Sequence, residues 1–304
     1  MCNALNECEG CDFHEQCPDS ACRIATGGCF DAAEVYDVGS GQTYANIEAA
    51  VLDLGEGGEV VLRIHDGPDY NGAVTIAGAG TAYALLADDD AMVPQWINSM
   101  DAAPTLGVED GAEVYVQSLR FTANTDGDFA GIAVNGATLY LDRTRVVANS
   151  GGGIRLTNAA DGHLRNCFVG GDVSDVSALE AVGSSVDILN STLGAGFGSA
   201  AALRCSGTGI VHVRNSLVVA RTDDSAVACT TDSFANSLTE DDLGDMNTNW
   251  FVSYGTGNFS LSGMAPPSIL SAAQWTTGDP VVDIDGDARP TEDATADVAG
   301  ADIP

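Results

Sequence analysis

The densest set of possible metal ligands is Asp283-x-Asp285-Gly286-Asp287. Calcium takes several carboxylate oxygens from a short loop with a Gly-assisted turn, so this set is a calcium candidate. The distant bidentate Glu of an EF-hand is missing, because Glu292 stands only 9 residues after Asp283. Asp residues also close turns through their own backbone, which is the competing role here. A calcium ion at this turn would brace the C-terminal end rather than catalyse. A second set lies at the other end, where Cys8-x-x-Cys11 has His14 nearby and could hold zinc. The same cysteines support another chemistry. Six of the nine fall within the first 29 residues (Cys2, Cys8, Cys11, Cys17, Cys22 and Cys29), a density expected of a disulfide-bonded segment over residues 1–34. Six cysteines allow 15 pairings, so the connectivity stays open. Met1 runs straight into this stretch with no signal peptide, so an extracellular or cell-surface location is expected from cysteine usage alone.

Charge narrows the partners. There are 44 acids against 11 bases, a net charge of −33, and every base is Arg. Nucleic acid is excluded as a partner, since phosphate binding needs positive charge. An anionic polysaccharide would be repelled unless a cation intervened. So strong a like charge keeps a secreted chain soluble and suits a saline habitat, where it is screened. No run of 18 apolar residues occurs, so no membrane span is expected.

These residues must be carried by a scaffold, and the chain declares one by repetition. The segments beginning at Val116, Leu141, Leu164, Ile188 and Val213 are spaced by 25, 23, 24 and 25 residues, with apolar first and sixth positions. Between them lie Ile132, Ile154, Leu179, Leu203 and Val227, spaced by 22, 25, 24 and 24, each followed two residues later by Val134, Leu156, Ala181, Cys205 or Cys229. Alternation of this kind marks a strand with one buried face. Each repeat then holds two or three short strands, none able to bury its face alone, and stacking on the next repeat supplies the core. The 45% apolar content, 36 glycines and only 6% aromatics agree with many short strands and turns. The third position of successive segments is Asn166, Asn190 and Asn215, and Asn236 continues the series. A polar residue recurring among core positions needs a partner, and amides stacked at strand spacing can bond one another as a ladder.

With this pattern the chain resembles the pectin-lyase-like superfamily of parallel β-helices, in the form found in secreted bacterial proteins. Gly39-Ser40-Gly41-Gln42-Thr43-Tyr44-Ala45-Asn46-Ile47 is similar to the family's opening before a capping helix. Ile47, Ala50, Val51 and Leu54 share one helical face, with Thr43 as the expected N-cap and Gly55 as the stop. Gly58 to Ile76 is similar to the first two coils. Asn258 to Ser262 and Asp283 to Pro290 are similar to the tail of secreted bacterial relatives, whose acidic pair after Gly is here Gly300-Ala301-Asp302. The expected fold is all-β: a right-handed parallel β-helix over 35–243 with a capping helix at about 44–54, then last coils and a C-terminal cap or tail over 244–304.

In such a family the active groove follows the first strand of each coil, here the series from Ile132. Its outward residues include Arg155, Glu180 and Arg204, with Thr157 and Ser206 beside them. In register, Glu180 would sit between two guanidinium groups about 5 Å apart from coil to coil. This strip is either a sugar- or carboxylate-binding site or a plain salt ladder on a solvated face. The Asp clusters of the family's hydrolases, lyases and esterases are absent from it. Loop acids Asp126, Asp128, Asp172, Asp175, Asp223 and Asp224 could build a divergent site. His163 and His212 lie 49 residues apart, about two coils, and with His14 and His65 are expected at the surface or in turns. Cys205 and Cys229 occupy equivalent inward positions in adjacent coils, as a disulfide or as buried thiols; Cys167 has no evident partner. The function expected is structural or carbohydrate- and surface-binding, with a polysaccharide lyase or glycoside hydrolase as the alternative.

Overall fold

The computed structural model describes residues 10–11, 14–17, 19–65, 67, 69–88, 93–171, 174–198, 200–221, 225–244 and 248–304. Cys2, Cys8, Asp172, Asp223 and Asp224 lie outside the described residues. The chain winds into a parallel β-solenoid of about eight turns built on three sheets, here called A, B and C, of nine, eight and seven strands. One coil runs Asp161–Arg165 in sheet A, Phe168–Gly170 in sheet B and Leu179–Val182 in sheet C; the next runs Ser185–Leu189, Thr192–Gly194 and Leu203–Ser206.

The expected register holds. Ile132, Ile154, Leu179, Leu203 and Val227 pair in one column of sheet C, and Val116, Leu141, Leu164, Ile188 and Val213 in one column of sheet A. These inward columns merge into a single core from Val38 to Ala226. No strand in them exceeds six residues, so the core exists only because coils stack.

The first coil needs a lid, and helix α1, Ile47–Leu54, supplies one. Ile47 and Ala50 are buried against the core, with Val51 and Leu54 half-buried beside them. The N-cap is Asn46 rather than Thr43: its Oδ1 accepts the Ala49 N–H at 2.8 Å. The stretch from Gly58 to Ile76 forms one coil, not two, with strands Glu59–Ile64, Tyr70–Asn71 and Val74–Ala77 taking one place in each sheet.

The asparagine column is real, but its bonding differs from the expected ladder. Ser118, Arg143, Asn166, Asn190, Asn215 and Asn236 all sit at the turn from sheet A to sheet B with φ between 45° and 57°. Asn is the side-chain-bearing residue that best tolerates this left-handed backbone, which explains its recurrence. The amides do not bond one another. Asn166 donates to Val282 O (2.9 Å), Asn190 to Asp297 Oδ2 (3.4 Å), and Asn215 to Gln274 O (3.0 Å), all on the C-terminal segment. The true ladder is one residue later. The N–H of Cys167, Ser191 and Ser216 donates to the hydroxyl of Ser191, Ser216 and Ser237 in the next coil at 3.0–3.1 Å. Each hydroxyl in turn donates to the carbonyl two residues before it.

Among the described residues of 244–304, no strand joins any of the three sheets, where last coils were expected. These residues form a tail that turns back along sheet B, with antiparallel pairs Phe251–Ser253 with Asn258–Leu261 and Ala273–Trp275 with Thr295–Asp297. Trp250, Phe251, Tyr254 and Phe259 pack on Val147, Phe168, Leu217 and Val219 from the outside of sheet B. Small residues permit this approach: a Cβ on Gly194 would lie 2.5 Å from the Phe259 ring, and one on Gly257 2.2 Å from Val147.

Candidate functional site

Arg155, Glu180 and Arg204 are successive members of one outward column of sheet C, between Ala133 and Ala228. Alternation fixes their direction, since Ile154, Leu179 and Leu203 before them and Leu156 and Ala181 after them face the core. Arg155 Nε stands 3.4 Å from Glu180 Oε2, and Arg204 Nη1 stands 3.9 Å from Glu180 Oε1. The two guanidinium groups are more than half exposed and the carboxylate is less than one-third exposed.

The sheet alone would leave this a flat ladder. Loops between sheets B and C raise a wall beside it. They stack on one another, with Asn124 N–H bonded to Asn149 Oδ1 (3.0 Å) and Gly196 N–H to Val176 O (2.9 Å). Asp128 and Asp175 from these loops border the same hollow of about 160 Å³ as Arg155, Glu180 and Arg204. Asp175 Oδ1 accepts the Ala200 N–H at 2.8 Å, which anchors that carboxylate. Asp126 is used otherwise, accepting the Asp128 N–H in a local turn. Five planar, charge-bearing forks thus surround one depression. The two guanidinium groups can donate hydrogen bonds to a polyhydroxylated molecule and the three carboxylates can accept them from it.

The other named residues separate from this hollow. The Thr157 hydroxyl donates to Val134 O at 3.3 Å. Ser206 borders a wider depression of about 610 Å³ with Thr208, Ile210, Thr230 and the Cys205–Cys229 pair. That pair is a disulfide joining adjacent coils, which removes the free-thiol alternative. Cys167 is a buried free cysteine whose thiol is pushed up to about 12 by burial.

At the N-terminus the structure joins Cys11 to Cys22 and Cys17 to Cys29. Zinc is therefore not the chemistry of Cys11, whose sulfur is already bonded, and His14 Nδ1 accepts the Cys22 N–H at 3.0 Å. The Asp283 turn also has its groups engaged. Asp283 is fully buried, with Oδ1 taking the N–H groups of Asp285 and Asp287 and Oδ2 that of Ile303. Asp285 pairs with Arg145. Among the described residues the Asp283, Asp285 and Asp287 carboxylates do not converge closely enough to share an ion as they stand.

One arrangement was missed from sequence. Tyr115, Tyr140, His163, Asp187 and His212 form a single outward column of sheet A. Tyr115 stacks on Tyr140 at 4.6 Å and Tyr140 on the His163 ring at 4.4 Å. His163 lies between Asp161 and Asp187, each at 3.2 Å. Burial alone would lower its pKa, but the two carboxylates outweigh this and raise it. A hollow of about 180 Å³ opens beside the column, roofed by His14 and Ile24 of the disulfide-bonded segment. The signal was available: His163 and His212 both precede an apolar inward residue, so they share a register and the coil between them contributes Asp187.

Comparison of the chain with family models, curated proteins and solved structures finds no match. Among the described residues no helix is long and apolar enough to cross a membrane.

Proposed function

We propose that this is an extracellular carbohydrate-binding β-solenoid of the pectin-lyase-like type, holding a saccharide in the hollow over Arg155, Glu180 and Arg204. The observation that carries the proposal is the convergence of this column with Asp128 and Asp175 around one depression. Saccharides present dense hydroxyl groups that both donate and accept, and alternating guanidinium and carboxylate forks complement both roles. A salt ladder on a bare sheet would need no loop wall, and here stacked loops supply one. Three disulfides among the described residues support an oxidising, extracellular setting. The capping helix, three parallel sheets and outward strip on the sheet after the long loops support the family likeness.

Affinity electrophoresis of the full chain through gels containing neutral, amino and uronate polysaccharides tests the proposal. At least one should retard the protein, and Arg204→Ala should weaken retention about tenfold, the loss of one charge-assisted contact of roughly 1.5 kcal/mol. Retention that survives both Arg204→Ala and Glu180→Ala would move the ligand elsewhere.

A second reading has its own observation. Asp128, Asp175 and Glu180 share the hollow, and glycoside hydrolysis needs two carboxyl groups across the scissile bond. New reducing or unsaturated ends, lost in Glu180→Ala and Arg204→Ala, would replace binding by catalysis.

A further inference from the structure

We infer that the hollow selects a saccharide bearing protonated amino groups and rejects uronates; this rests on the carbohydrate reading above and specifies its ligand class. The charge around the depression does not balance. Arg155 and Arg204 face Asp128, Asp175 and Glu180, leaving one negative charge in excess. The positive charge is also partly offset within the chain. Both guanidinium groups turn toward the same carboxylate, Glu180, from the coils on either side. Among the described residues, no ion pair is found for Asp128 or Asp175, although both border the hollow and both are exposed. The Ala200 N–H fixes Asp175 in position without neutralising it.

A uronate carboxylate entering this hollow would meet three like charges. At either guanidinium it would also stand beside Glu180, which lies 3.4 Å from Arg155 and 3.9 Å from Arg204. An ammonium group meets the opposite situation, with two unpaired carboxylates able to accept charge-assisted hydrogen bonds. The hydroxyls of the same sugar can still engage Arg155 and Arg204. Long-range charge acts in the same direction, because a chain of net charge −33 repels polyanions and concentrates cations at its surface.

Three oligosaccharides of matched length decide the matter: a glucosamine oligomer, its N-acetylated counterpart and an oligogalacturonate. Titration calorimetry on the full chain in mildly acidic buffer keeps the amines protonated. At about 20 mM salt the amine form should bind at least tenfold more tightly than the N-acetyl form, and the ratio should shrink at about 300 mM salt as screening shortens. The oligogalacturonate should not bind. Asp128→Asn with Asp175→Asn should bring the amine form down to the N-acetyl level, since Asn keeps an acceptor for the Ala200 N–H but carries no charge. Asp241→Asn with Glu292→Gln makes the same charge change at exposed positions elsewhere, and should preserve the preference. Equal loss in both double variants would assign the preference to overall charge and overturn the inference, as would uronate binding as tight as amine binding. Failure of all three sugars to bind would instead overturn the carbohydrate reading itself.

Discussion

Asp302 offers the sharpest test of how the tail is held. It is buried, at 6% exposure, and its Oδ2 accepts the Leu261 N–H at 2.7 Å. Burial is the main force that raises its pKa to about 6; Leu261's N–H opposes it, and Asp283, Asp285 and Asp287 add to it. An unfolded aspartate titrates near 3.9. The native state therefore binds this proton more tightly than the unfolded state does. The associated stability is full below about pH 4 and is lost as pH rises through about 6. A difference of about two pK units corresponds to at most roughly 3 kcal/mol, and 1–3 kcal/mol is the expected range. Asp302→Asn removes the charge and keeps an oxygen for Leu261. It should stabilise the tail by about 1–3 kcal/mol at pH 7.5 and change nothing below pH 4. Trp250 and Trp275 are buried in the tail and Trp96 in the solenoid, so denaturant titration followed by tryptophan fluorescence in a Trp96→Phe background reads the tail. An Asp302→Asn variant no more stable than wild type at pH 7.5 would refute the reasoning.

Three further perturbations follow from the packing. His163 has a raised pKa, so its contribution is full below its unfolded value near 6.5 and fades as pH rises through the folded value; His163→Gln should abolish that loss of stability on raising the pH above about 6.5 in thermal melts. Arg289 and Asp297 form a buried pair at 2.9 Å, exposed 0% and 2%, so Asp297→Ala strands a buried guanidinium and should cost about 3–5 kcal/mol, seen as early protease cleavage of the tail while the solenoid's far-UV dichroism persists. Gly194→Ala places a methyl against the Phe259 ring and should loosen the same tail, whereas Gly183→Ala, at a turn with φ of 60° but open space, should cost only its backbone strain of about 1 kcal/mol.

The solenoid was legible because its core is written in a period of two within a period of about 24. Ile132 to Val227 and Val116 to Val213 give the register directly, and register alone aligns Arg155, Glu180 and Arg204. Asn166, Asn190 and Asn215 show where such reading stops. An amide column and a run of left-handed turns make the same demand on sequence, and only the tail decides where the amides donate. The tail itself has no repeat, since its contacts with Val147, Phe168 and Leu217 are long-range and irregular. Asp128 and Asp175 stand in loops whose sequences carry no period, so their approach to the strip depends on loop stacking that no local pattern encodes. The sheet A column was readable in principle, because it obeys the same register.

The three outer faces are treated differently, and this gives the proposed site its strongest context. Sheet A carries the disulfide-bonded segment, with Ala21 and Phe30 packed on Val61, Ala84 and Tyr115, and Arg23 paired with Glu59 and Glu113. Sheet B carries the aromatic tail, seated on glycines and anchored through the asparagine column. Sheet C has no such covering element among the described residues, and its outward side chains include the most exposed arginines in the ion-pair network, Arg155 and Arg204. A rod needing only stability would gain by covering this face as it covers the others, because buried apolar area contributes about 25 cal/mol per Å². Instead the face is left polar, walled by stacked loops and supplied with charges only partly paired within the chain. That combination stabilises the fold little, and a ligand that completes the pairing is the physical reason to keep it.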